Sequence, residues 1–191
     1  MSSPPRVRTA KRPVTFEEFC AIIREDQKAD LIDGVIYMAS PESYEGNQLN
    51  FWIARLLGDF VEERDLGDVL ITRVAFRLDK IGGPEPDVAF VRKDRAHLAH
   101  YGYFDGPPDL AIELVSPDSV ERDYDKKRAL YQKHGVREYW IIDAARKQML
   151  VLIRSGGGWK ERVVKPTGVK YKPRHLPGFA LDLKRVFAAA K

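Results

Sequence analysis

Two short apolar segments each carry a carboxylate where a carboxylate is costly. Pro86-Asp87-Val88-Ala89-Phe90-Val91 and Pro108-Asp109-Leu110-Ala111-Ile112-Glu113-Leu114-Val115-Ser116 run apolar between Pro, Gly and Asp punctuation, the pattern of strands covered on both faces. An ionised acid left unpaired in such a strand is strongly destabilising, or it takes up a proton. Asp87 and Glu113 therefore need a cation. A hard divalent metal, which takes oxygen ligands, is the simplest one, and two acids converging from neighbouring strands make half of its shell. Side chains alternate along a strand, so Glu113 and Val115 share a face while Leu114 points to the other, and Val115 can do no proton or phosphate chemistry.

The next predicted helix offers another cation. Tyr124, Lys127, Tyr131 and His134 recur at helical spacing, which places Lys127 in the inward stripe and turns Lys126 away. A lysine on a buried face wants an anion. A purely structural pairing with Asp87 or Glu113 is the bland reading; three charges converging in an apolar setting favour a site. Burial also lowers a lysine pKa, which is what a lysine needs to act as a base.

These residues must be positioned by the elements around them. Thr15 and Glu18 form a capping box that opens a helix to about Arg24, with Phe16, Phe19, Cys20 and Ile23 facing inward. Asp33-Gly34 turns a hairpin between Asp30-Leu31-Ile32 and Val35-Ile36-Tyr37-Met38. Ser43 caps a longer helix to about Arg64, whose apolar residues Leu49 to Val61 recur at helical spacing, and Gly67 ends the connection. Strands are expected over Val69 to Leu78 and Glu85 to Val91, across Gly82-Gly83-Pro84. After the Glu113 strand, Ser119 or Asp123 starts a helix that stops at Gly135, and Tyr139 to Asp143 and Met149 to Ile153 continue the sheet. The order predicts an α/β (α+β) fold, a mixed sheet flanked by helices.

The chain has 191 residues, 44% hydrophobic and 31% charged, enough for one full-sized core. Residues 1–13 are basic, contain proline and lack an apolar h-region, so they read as a disordered arm rather than a secretory signal, with one domain over 14–191. The single Cys20 excludes an intramolecular disulfide, no clustered His offers a zinc site, and a reducing cytoplasm is the expected compartment. No apolar run is long enough for a membrane span.

Net charge is +4. The excess is concentrated in Arg6, Arg8, Lys11 and Arg12 on the arm, and in Lys160, Arg162, Lys165, Lys170, Lys172 and Arg174 near the C-terminus. Both groups read either as solvated surface or as phosphate contacts. Trp52 and Phe60 read as core, Tyr139 and Trp140 as sheet packing, and Asp143 as a loop cap. His97, His100, His134 and His175 lack metal-ligand spacing.

Taken in order, Asp30-Leu31-Ile32-Asp33-Gly34, Ser40-Pro41, Pro86-Asp87-Val88, Pro108-Asp109 through Ser116-Pro117, Lys127 with Tyr131, Gly135-Val136, Glu138 to Asp143 and Leu176-Pro177-Gly178-Phe179 resemble the Uma2 family. The similarity runs from about Thr15 to Leu183. It implies the PD-(D/E)XK nuclease superfamily, a restriction-endonuclease-like mixed sheet, and a Mg2+- or Mn2+-dependent endonuclease acting on DNA. Asp87 then matches the motif aspartate, Glu113 the second acid, and Lys127 a lysine displaced from the strand onto the next helix. Asp87, Glu113 and the Leu114 backbone carbonyl would hold the metal, with Asp30 a further candidate ligand. The chain departs from the family in having Asp30 where many members have glutamate, and Gly46 where relatives often have histidine. Relatives assemble, so a homodimer or higher oligomer is expected. The competing reading is a catalytically degenerate nuclease fold that serves as a nucleic-acid-binding or oligomeric interaction module.

Overall fold

The computed structural model describes residues 12–24 and 26–189. The Thr15 hydroxyl accepts from Glu18 N–H, and the Glu18 carboxylate accepts from Thr15 N–H, so the expected capping box opens α1 (Phe16–Ile22). The helix is shorter than expected because Ile23 is already extended, and Cys20 is exposed rather than inward. Phe16 and Phe19 alone of its residues are buried.

β1 (Ala29–Ile32) and β2 (Val35–Met38) form the hairpin, with Asp33 and Gly34 both at positive φ, as a tight two-residue turn requires. Leu31 exchanges two backbone hydrogen bonds with Gly83, at 3.0 and 2.8 Å. A Cβ at Gly83 would lie 2.6 Å from the Phe16 ring, so only glycine permits this approach. The contact ties the hairpin to the segment carrying Glu85 and Asp87.

The Ser43 hydroxyl caps α2 (Tyr44–Glu63), accepting from Gly46 N–H at 3.0 Å. Leu49, Ile53, Leu57 and Val61 form its buried stripe. β3 (Gly67–Ile71) follows, but the strand expected to continue to Leu78 does not. Arg73 takes φ 63°, which breaks the extended run, and β4 (Ala75–Arg77) joins a different sheet. β5 (Val88–Arg92) leads through a short 3-10 turn to β6 (Ala99–His100) and β7 (Tyr103–Asp105), which form a three-stranded sheet in the order β4-β7-β6.

β8 (Leu110–Leu114) then enters the main sheet. Arg122–Lys127 is a π-helical segment that continues directly into α3 (Arg128–Lys133). β9 (Glu138–Asp143), β10 (Gln148–Ser155), β11 (Gly158–Val164) and α4 (Leu183–Ala189) complete the chain. β11 was not anticipated, because its run of charged residues hides the alternation of an edge strand.

The main sheet has the order β11-β10-β9-β8-β5-β3. Only β8 and β9 are parallel; the other pairs are antiparallel. Val88, Phe90, Leu110, Ile112, Trp140 and Ile142 pack against α2 and α4 on one face. Ala111, Tyr139 and Ile141 pack against Tyr131 on the other. The alternation puts Glu113 on the α3 face, at the end of β8 where the two helical layers part.

Candidate active site

The antiparallel register pairs Val88 with Ile112, so one step further places Asp87 opposite Glu113. Asp87 Oδ2 accepts the Leu114 N–H at 2.7 Å, which fixes the carboxylate against the main chain of the neighbouring strand. Lys28 pairs with the other oxygen, Oδ1. Ala29 and Leu31 pack toward α1, so alternation along β1 sends Lys28 and Asp30 to the opposite side, toward Asp87 and Lys127.

Lys127 is 1% exposed. Its Nζ lies 2.8 Å from Glu113 Oε1 and 2.9 Å from Asp30 Oδ1. Tyr131 Oη donates to Glu113 Oε1 at 3.1 Å, and Glu85 N–H donates to Asp30 Oδ1 at 2.8 Å. Arg122 Nε stands 3.3 Å from Asp30 Oδ2 and 4.0 Å from Asp123 Oδ1. The Ser119 hydroxyl donates to Asp123 and accepts from Ser116 N–H.

Five acids of this cluster, Asp30, Glu85, Asp87, Glu113 and Asp123, surround three cations, Lys28, Arg122 and Lys127. Full ionisation would leave two negative charges unmatched. The response is protonation: burial, then the neighbouring acids, pushes Glu113 up to about 8 despite Lys127, Glu85 up to about 7 and Asp123 up to about 6. Asp30 goes the other way, because Lys127 and Arg122 outweigh the burial that opposes its charge.

Lys127 also departs from the sequence expectation. Burial alone would lower its pKa, but Asp30 and Glu113 outweigh that and raise it. It is a permanent ammonium, suited to orienting groups and stabilising charge rather than to taking a proton.

The cluster opens on a cleft of about 270 Å³ lined by Lys28, Asp87, Glu113, Leu114, Arg122 and Asp123, among others. The N-terminal turn of α2, including Gly46, forms part of the same wall. Among the described residues, no three His, Cys, Asp or Glu side chains are arranged to hold a metal by themselves. The donors are nonetheless all oxygen, and a hard divalent cation completed by main chain and water would supply the two positive charges that protonation supplies in its place.

Asp87, Glu113, Leu114 and Lys127 thus come together, and Asp30 joins them through Lys127. Lys126 instead pairs with Glu121 at the surface. Among the described residues, no member of the two surface basic groups lines the cleft. Arg6, Arg8 and Lys11 lie outside the described residues, and Arg12 pairs with Glu18. Lys160 pairs in register with Ile153, at the end of the sheet away from the cleft, and the Arg162 guanidinium lies over Tyr171. Lys165 donates to Gln148 at 2.8 Å, while Lys170, Lys172 and Arg174 are exposed. Asp143 orders the next turn, accepting from Arg146 N–H and the Tyr124 hydroxyl.

Sequence reasoning missed Lys28, Glu85, Arg122 and Asp123. Asp123 carried a signal, since it lies one helical turn before Lys127. Arg122 carried none at α-helical spacing.

A mixed sheet flanked by helices, with a carboxylate pair and a buried lysine at its strand ends, defines a restriction-endonuclease-like fold. Residues 14–184 match the family described as "Uma2: Putative restriction endonuclease", and the chain belongs to that family. The fold is similar to a crystal structure described as a putative nuclease belonging to DUF820 from Anabaena variabilis. That likeness has a TM-score of 0.78 at 19% identity and covers 94% of this chain and 100% of that one. No curated protein matches. No helix among the described residues is long and apolar enough to cross a membrane.

Proposed function

We propose that the protein is a Mg2+- or Mn2+-dependent endonuclease that hydrolyses phosphodiester bonds of DNA. The observation that carries this reading is the buried cluster that joins Asp87, Glu113 and Lys127 to Asp30, Glu85, Asp123, Lys28 and Arg122, which opens on a cleft and, fully ionised, holds two more negative than positive charges. Asp87, Glu113 and the Leu114 carbonyl would hold the cation. A bound divalent ion supplies Lewis-acid polarisation of a phosphoryl oxygen and a more acidic water.

The chain's own residues do the rest. Leu114 N–H and Tyr131 keep the two carboxylates aimed, and Asp30 clamps Lys127 beside Glu113. The Lys127 ammonium orients the attacking water and offsets charge that accumulates on the phosphoryl oxygens. A homodimer would bring two such sites to the two strands of a duplex. The lone Cys20 fits a cytoplasmic setting.

Metal-dependent nicking of a supercoiled plasmid by purified protein is the test. Activity that needs Mg2+ and disappears in Asp87→Asn and Glu113→Gln is the expected result; cleavage in EDTA, or cleavage unaffected by these substitutions, removes the reading.

One observation favours the degenerate interaction module instead. Lys28 already engages Asp87 Oδ1. Calorimetric titration separates the two, since a module retaining only the scaffold shows no divalent binding that depends on Asp87.

A further inference from the structure

Four buried side-chain atoms among the described residues lack a hydrogen-bond partner: Asn50 Oδ1, Asp109 Oδ1, Arg122 Nε and His134 Nε2. Three have an ionisable partner close by. Asp109 Oδ1 is 3.4 Å from Arg137, Arg122 Nε is 3.3 Å from Asp30, and His134 Nε2 is 3.0 Å from Asp79. Asn50 is neutral, and its Oδ1 has no hydrogen bond.

Its position makes this costly. Asn50 is 8% exposed and lies on the inward side of α2, next to Leu49 and one turn before Ala54, where an apolar residue would fill the space without stranding a polar group. It also lines the cleft that holds Asp87 and Glu113. Arg122 lines the same cleft, with its Nε held 3.3 Å from Asp30 Oδ2. The two come from different layers, α2 over one face of the sheet and the π-helical segment over the other.

We infer that Asn50 and Arg122 form the phosphate-binding subsite of the cleft, holding the backbone phosphate of a nucleic-acid strand beside Asp87 and Glu113. The inference rests on the nuclease reading above. A phosphate oxygen accepts hydrogen bonds, and the Asn50 carboxamide meets it through its NH2 donor, since the Oδ1 side is closed to solvent. The guanidinium of Arg122 matches phosphate in charge and in planar geometry. Its salt contact with Asp30 fixes it from behind.

The test uses full-length protein and a phosphorothioate DNA oligonucleotide that resists cleavage, with binding read by fluorescence anisotropy in EDTA and plasmid nicking read separately in Mg2+. Asn50→Leu removes the stranded amide and keeps the volume, so the melting temperature should hold or rise while affinity falls about tenfold, the loss of a hydrogen bond to a charged group. Asn50→Asp should weaken binding further, by adding a negative charge beside the phosphate, and it serves if the leucine variant does not fold. Arg122→Lys keeps the charge but loses the planar fork, and affinity should again fall about tenfold. Wild-type affinity in Asn50→Leu or Asn50→Asp, or no binding of the oligonucleotide by the unaltered protein, overturns the subsite. Binding that the substitutions weaken, in a protein that never nicks plasmid, keeps the subsite and removes the nuclease reading; nicking with KM unchanged in the variants does the reverse.

Discussion

Asp30 Oδ1 stands 2.9 Å from Lys127 Nζ, which ties the first hairpin to the start of α3 across the metal-candidate carboxylates. Asp30 therefore holds the lysine that faces Glu113. The Leu31–Gly83 bridge ties β1, and with it Asp30, to the segment that carries Glu85 and Asp87.

Replacing Lys127 with Met should abolish cleavage and leave Mg2+ binding largely intact, because both proposed carboxylate ligands remain. It also strands Asp30 and Glu113 in a buried setting, at about 3–5 kcal/mol of stability. Lys126→Met should stay within about 0.5 kcal/mol, since Lys126 pairs with Glu121 at the surface. Plasmid nicking, metal calorimetry and urea unfolding read the three effects. Near-normal nicking in Lys127→Met, or equal damage from Lys126→Met, leaves Lys127 a structural ion-pair partner.

The pH dependence of metal-free stability follows from Glu113. Its pKa is about 8 in the folded protein and roughly 4.3 when unfolded, so the folded state binds the proton more tightly. Its contribution is full below the unfolded value and is lost as pH rises through 8. Asp30 is shifted the opposite way and its contribution has the opposite sign, present above its unfolded pKa and lost as pH falls through the lowered one. Urea melts in EDTA should therefore show stability falling from roughly pH 4.3 to about pH 8, with Asp123 and Glu85 adding to the fall up to about 6 and about 7, and Glu113→Gln should flatten it most between about pH 7 and 8. An equally steep fall in the variant would place the titration elsewhere.

Lys28 competes for Asp87 with any divalent cation. Lys28→Met should raise Mn2+ affinity, measured by calorimetry, because the carboxylate oxygen is freed and a neighbouring positive charge is removed. Unchanged or weaker Mn2+ binding would mean that Lys28 leaves Asp87 without cost.

The local signals in the sequence were strong where a residue type has one structural use. Thr15 with Glu18, Asp33-Gly34 and Ser43 each cap or turn the chain as expected, and the apolar strands of Asp87 and Glu113 are neighbours in the sheet. The break at Arg73 was hidden, since arginine gives no hint of a positive φ. Arg122 was hidden by helix geometry. At 3.6 residues per turn it points roughly 140° from Lys127, but the i to i+5 spacing of a π-helix brings the two onto adjoining sides. Lys28 sits in a charged loop that reads as surface, and only the tertiary approach of the hairpin to β5 reveals its partner.

The basic residues separate into two kinds by their place on the sheet. Lys165 lies beside Gln148, at the same end as Asp143 and the cleft, whereas Lys160 is at the far end of β11. If DNA approaches the cleft, Lys165→Gln should weaken binding across all sequences and reduce the slope of log K against log salt by about 1. Lys160→Gln should leave both unchanged. Anisotropy titrations over a range of salt concentrations distinguish them; equal slopes in both variants would make the C-terminal cluster solvated surface and remove it from the DNA path.

Self-association is the last expectation. Two strands of a duplex need two hydrolytic events, and one cleft of about 270 Å³ serves one phosphate at a time. Light scattering at micromolar concentration should give the mass of a dimer or higher symmetric oligomer, with or without a short duplex. Plasmid assays should then pass from supercoiled to linear product without accumulation of the nicked form. A monomeric mass in both conditions, together with nicked plasmid that persists, would restrict the protein to single-strand scission and remove the dimer.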